Sequence, residues 1–146
     1  MTTVLNLAWG VLGGWVLAGA WFLTGVIVAA VPWGWPWTVA CWRIGRMALA
    51  PFGKDILPAE MVLEKKHWAT GIGNVVWFVF LGWWLALGHL LGAVFCLPFV
   101  VTWPGCVAHM RLARVSMWPL GYRIVSQEEA RIIRQAHWTK RVMQQR

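Results

Sequence analysis

The stretch Asn6-Leu7-Ala8-Trp9-Gly10-Val11-Leu12-Gly13-Gly14-Trp15-Val16-Leu17-Ala18 returns as Asn74-Val75-Val76-Trp77-Phe78-Val79-Phe80-Leu81-Gly82-Trp83-Trp84-Leu85-Ala86. The offset is 68 residues, and it holds without a gap well beyond this stretch. Trp35-Pro36 falls on Trp103-Pro104, Arg43 on Arg111, Arg46 on Arg114, Pro51 on Pro119 and Gly53 on Gly121, giving 18 identities over 51 positions (6–56 against 74–124). An internal repeat governs how the rest of a chain is read. One unit is built twice: a long apolar segment, a Trp-Pro break, a short segment with two arginines and a Pro-x-Gly turn. The organisation that follows is a single domain over 1–146, with repeat 1 at about 4–56, a linker at 57–71, repeat 2 at about 72–124 and a basic tail at 125–146.

Composition sets the solvent. Hydrophobic residues make up 60% of the chain and charged residues 12%, where soluble domains carry about 25% charged. No charged side chain occurs from Met1 to Trp42, and no Asp, Glu, Lys or Arg from Ala69 to Met110. Each run is roughly twice the ~20 apolar residues that a membrane helix needs, so a multi-pass, all-α membrane protein is expected. The first run lacks a basic leader and is repeated later, which argues against a cleaved signal peptide. Cys41, Cys96 and Cys106 show no paired spacing and read as packing thiols; no metal and no cofactor are expected.

The formal charge of +8 is unevenly placed: five basic residues lie between Arg43 and Lys66, and eight between Arg111 and Arg146. Basic segments beside membrane runs favour the cytoplasmic face and its anionic lipids, so the expected partner is lipid and not nucleic acid. Residues 4–31 read as one long helix. Gly10, Gly14 and Ala18 recur on one face, matched by Gly82 and Ala86 and extended by Gly88 and Gly92. Such small residues let membrane helices approach closely, and a homo-oligomer is the expected result. Pro32 to Pro36 breaks the helix, and its tryptophans suit the membrane interface. The 14 residues that follow reach only ~21 Å as a helix. A short helix lying in the headgroup layer suits that length, with Arg43 and Arg46, and likewise Arg111 and Arg114, as headgroup contacts. Ser126 and Glu129 form a capping box that opens a basic C-terminal helix.

The number of crossings is where the sequence pulls two ways. One long crossing per repeat puts linker and tail on opposite sides, as in inverted repeats, whereas the basic counts place both inside. The reading taken is one long transmembrane helix per repeat plus an interfacial helix. The alternative is an even number of crossings or a pair of re-entrant hairpins.

Thr3-Val4-Leu5-Asn6, Cys41-Trp42, Phe80-Leu81-Gly82-Trp83-Trp84-Leu85-Ala86-Leu87-Gly88-His89, Trp118-Pro119-Leu120-Gly121 and Arg123-Ile124-Val125-Ser126 together resemble the YccF family of small bacterial inner-membrane proteins. The resemblance covers residues 3 to about 126 and implies a bacterial inner-membrane location and a two-copy YccF domain; it implies no activity. Many members have Gly-Ile-Pro where this chain has Val101-Thr102-Trp103-Pro104-Gly105, so the second break is expected to be shaped differently.

Few residues are fit for chemistry. His89 is a candidate pathway residue because ionisable groups inside a membrane are costly. No membrane Asp or Glu accompanies it, and a hydrogen-bonded packing role is the plainer expectation. Trp21 occupies its place in the first repeat. Asn6 and Asn74 begin the long helices and suit capping. With five acids in all and no nucleophile motif, no enzyme is expected. Two function classes remain. The reading taken is an oligomeric pore or a component that accompanies a membrane transporter. The other is a structural protein that organises lipid.

Overall fold

The computed structural model describes residues 1–62 and 69–144. The middle of the linker, with Glu64, Lys65 and Lys66, and the terminal Arg146 lie outside the described residues. The elements are α1 (Thr2–Trp9), α2 (Trp15–Ala29), α3 (Trp35–Leu49), β1 (Lys54–Pro58), α4 (Ala69–Trp77), α5 (Trp83–Cys96), α6 (Trp103–Met117), β2 (Tyr122–Ser126) and α7 (Gln127–Gln144). At Gly10–Gly14 a kink joins α1 to α2, with Gly13 in the left-handed region at φ 100, and a single turn of π-helix joins α4 to α5 at Phe78–Gly82. The joined helices, Thr2–Ala29 and Ala69–Cys96, are each 28 residues and long and apolar enough to cross a membrane.

The short helix of each repeat does not lie flat, and this corrects the expected interfacial helix. Trp35-Pro36 and Trp103-Pro104 stand at the start of α3 and α6, where proline costs no hydrogen bond. From there each helix runs back along its long neighbour. Gly25 of α2 lies against Cys41 and Trp42, and Phe22 of α2 lies against Gly45. Lower down, the Trp9 indole donates to the Ala48 carbonyl at 2.6 Å. The small residues of α2 allow the close approach: Ala18 is fully buried, as are Cys41 and Ala48 opposite. Each repeat is therefore a helical hairpin whose two ends return to one level.

That level is fastened by asparagine. Asn6 Nδ2 donates to the Phe52 carbonyl at 3.1 Å while the Phe52 amide donates to Asn6 Oδ1 at 3.0 Å. Asn74 repeats both bonds on Leu120 at 3.1 and 3.0 Å. The capping expectation is thus corrected, since Met1 is the N-cap of α1 and Asn6 lies inside the helix. Its amide matches the backbone C=O and N–H of one residue, donor to acceptor and acceptor to donor. The turns held this way contain Gly53 and Gly121, both at φ 86, a left-handed conformation that favours glycine.

The two hairpins are related by a two-fold axis. Strands β1 and β2 pair antiparallel with Ile56 opposite Ile124, residues that are 68 apart. The bonds around the pair follow the same rule. Arg43 donates to the Tyr122 carbonyl at 3.4 Å and Arg111 to the Lys54 carbonyl at 3.2 Å. The Ala59 amide donates to the Gly121 carbonyl at 2.9 Å and the Gln127 amide to the Gly53 carbonyl at 3.0 Å. Exchanging each residue for its repeat partner turns one bond of each pair into the other. Both strands sit at the same end of both hairpins, so the axis runs along the hairpins and the repeats are parallel. This corrects the expectation that linker and tail lie on opposite sides.

Candidate functional site

Two places hold polar groups that the fold does not need for its helices: the centre of the two-fold axis, and the cap of strands and arginines at one end. At the centre, Trp21 and His89 occupy equivalent positions and meet each other. The Trp21 indole donates to His89 Nε2 at 3.1 Å, and His89 Nδ1 lies 3.4 Å from His109 Nδ1. An indole only donates, so His89 Nε2 is the acceptor and the proton sits on Nδ1, facing His109. His89 is 1% exposed. Trp77 stacks on Trp21 with centroids 6.1 Å apart, and the ring of Trp9 lies 4.6 Å from that of His109. His89 is therefore enclosed by aromatic rings and hydrogen-bonded across the axis. Its companion His109 follows the Trp103-Pro104 break in sequence; folding α6 back along α5 brings it inward, against Gly92. Among the described residues no group of three His, Cys, Asp or Glu side chains could hold a metal ion.

The glycines divide into two sets. A Cβ on Gly14 would overlap the Trp9 indole, and one on Gly82 would come within 2.8 Å of Trp77. The kink at Gly13 in the first repeat and the π turn in the second bring residues five apart into line. Trp9 then passes over Gly14 to reach the Ala48 carbonyl, and Trp77 passes over Gly82 to reach the Ser116 carbonyl at 2.8 Å. Ala18 and Ala86 are likewise buried. These positions pack within the chain. Gly10 and Gly88 have nothing within 4 Å of a would-be Cβ and face outward, so they are the members of the expected stripes open to another molecule.

The cap gathers the charge. Neither α2 nor α5 carries a charged residue, and neither do the turns at the far end of the hairpins. Arg43, Arg46, Arg111 and Arg114 lie in the second half of α3 and α6, on the side of the strands. The structure separates the members of each pair. Arg43 and Arg111 are half-buried and reach the opposite repeat's strand, a role that spacing alone did not reveal. Arg46 and Arg114 are exposed. Asp55 pairs with Arg111 and, at 2.8 Å, with Arg134 of α7. Burial pushes the Asp55 carboxyl up, but the bonds from Arg134 and the Ile56 amide, with the charges of Arg111 and Arg134, hold it below its ordinary value. Glu129 accepts the Ser126 amide at 2.8 Å, while the Ser126 hydroxyl accepts the Glu129 amide at 3.1 Å, closing the capping box at the start of α7.

A carboxyl held low by the fold stabilises it above the ordinary carboxylate range and loses that contribution as pH falls through the depressed value. Asp55→Asn should therefore lower the melting temperature at neutral pH and reduce the dependence on acid. Melts followed by circular dichroism in detergent between pH 7 and pH 3 check this; an unchanged acid profile would mean that Asp55 does not tie α7 to the cap.

The comparisons with known proteins agree with the duplicated architecture. The domain described as "Inner membrane component domain", YccF, matches twice, over residues 4–54 and 72–122. The inner membrane protein YccF of Escherichia coli (strain K12) is 31% identical, with 97% of this chain and 99% of that protein covered, and the protein of the same name from Shigella flexneri matches to the same extent. No solved structure matches the chain. Two domain copies that coincide with the two hairpins, and a relative aligned from end to end, show that this chain belongs to the YccF family of inner-membrane components.

Proposed function

We propose that the protein is a structural component of the bacterial inner membrane that organises anionic lipid at the cytoplasmic face. The carrying observation is the one-ended distribution of charge. Two uncharged hairpin ends enter the hydrocarbon, and every charged side chain among the described residues gathers toward the cap of β1, β2 and α7. The outer faces of the long helices suit lipid, with Val11 87%, Leu23 62%, Phe80 71% and Phe95 78% exposed. The basic cap then lies in the headgroup layer, where anionic lipids attract it, and the positive-inside tendency puts that layer at the cytoplasm.

A pore or a transporter-associated role is the second reading, and the open positions Gly10 and Gly88 favour it, because they allow close approach of another copy or of a transporter helix. A conducting path would have to run between copies, since Trp9, Trp21, Trp77 and His89 fill the two-fold centre of a single chain. The roles separate in reconstituted vesicles. The lipid-organising reading expects anionic lipid to co-purify with the protein and ion flux to stay at the level of empty vesicles. Flux from a ring of subunits would overturn it in favour of the pore.

A further inference from the structure

The exposed arginines look onto two grooves that the two-fold axis relates. The first is lined by Arg43, Arg46, Met47, Lys54, Ile124 and Ser126, and the second by Arg111, Arg114, Val115, Tyr122, Ile56 and Pro58. Each residue of one set is the repeat partner of a residue of the other. Their contents have diverged. In the second groove the chain supplies its own anion: Asp55 lies there, bound by Arg111 and Arg134. The corresponding position in β2 is Arg123. Tyr122 in the second groove corresponds to Lys54 in the first, which adds a cation.

The first groove is also the larger, about 540 Å³ against about 260 Å³. Lys54 Nζ donates to the backbone carbonyl of Arg46 at 2.7 Å, which holds the ammonium beside that arginine. Burial, and then the charge of Arg46, push the Lys54 ammonium below its ordinary value. Two cations pressed together in this way are relieved by an anion between them. Glu129 also lines the groove, with one carboxylate oxygen engaged by the Ser126 amide. Phe52 and Met47 give the groove an apolar wall beside its cations, a combination that matches a phosphate joined to a glycerol backbone.

We propose that the first groove binds one phosphate group, that of an anionic phospholipid, through Arg46 and Lys54, and that the second groove, closed by Asp55, does not. The inference rests on the cap lying in the headgroup layer and names the ligand taken there.

The test is native mass spectrometry of the detergent-purified full chain titrated with phosphatidylglycerol, with phosphatidylcholine as control and inorganic phosphate as a competing probe. Arg46→Gln and Lys54→Gln should each weaken retention of the anionic lipid by about tenfold, the scale of one charge-assisted contact. Arg114→Gln should leave it within about twofold, and all three should keep the wild-type melting temperature. Displacement by millimolar phosphate, with loss in the same two variants, would support the groove as a site for phosphate from either source. Equal losses in Arg114→Gln, or none in Arg46→Gln and Lys54→Gln, would overturn the inference while leaving the lipid-facing cap intact. Failure of the wild type to prefer the anionic lipid would overturn both.

Discussion

Gly14→Leu should destabilise the first hairpin severely, and Gly82→Leu the second, whereas leucine at Gly10 or Gly88 should fold as the wild type does. The difference follows from where the tryptophans go. Trp9 is 3% exposed, with Gly14 beneath its indole, the Ala48 carbonyl at its nitrogen and Phe52 meeting it edge-on at 6.2 Å. A leucine at Gly14 has no vacant direction, so the indole must leave. Forcing extra carbons into a filled site costs about 1–3 kcal/mol, and the displaced indole adds the loss of a buried hydrogen bond, about 1 kcal/mol or more. Stabilities are only about 5–15 kcal/mol for soluble domains, so the sum is a large share. Tryptophan fluorescence during thermal unfolding in detergent reads the effect directly. A Gly14→Leu protein that melts with the wild type, or a Gly10→Leu protein that loses as much, would remove the seat of the Trp9 indole over Gly14 from the account. Crosslinking of the Gly10 and Gly88 variants then separates contact between copies from folding, because a side chain at these positions meets nothing within 4 Å among the described residues.

Much of this was legible in the residues. The repeat was exact enough in Asn6, Trp9, Gly14, Arg43 and Gly53 to announce a duplicated unit, and the uncharged runs announced the membrane. The hairpin itself was not. A 14-residue stretch bearing two arginines has the length and charge of an interfacial helix; what turns it back is the fit of Gly25 against Cys41 and Trp42 and of Phe22 against Gly45, which is tertiary. The roles of Asn6 and Asn74 were hidden for a related reason. Asparagine near a helix start reads as a cap, and only the returned turn shows it the backbone N–H and C=O of one residue to bind. The same holds for His89. Its lack of a membrane acid was visible, but its donor is Trp21, a residue at its own repeat position, and that pairing needs the two-fold axis.

The axis also resolves the conflict between charge and crossings. Five basic residues between Arg43 and Lys66 and eight between Arg111 and Arg146 both favour the cytoplasm, and parallel hairpins let both be there. The pairing of β1 with β2 leaves no other arrangement, because strands that exchange backbone hydrogen bonds, with Lys54 opposite Ser126 and Pro58 opposite Tyr122, cannot lie on opposite faces of a bilayer. The most direct measurement is the reactivity of Glu60→Cys and Gln144→Cys, each placed in a chain whose Cys41, Cys96 and Cys106 have been replaced. An impermeant thiol reagent should label neither position in intact cells and both after permeabilisation. Labelling of one position without the other in intact cells would put linker and tail on opposite sides and contradict the parallel hairpins.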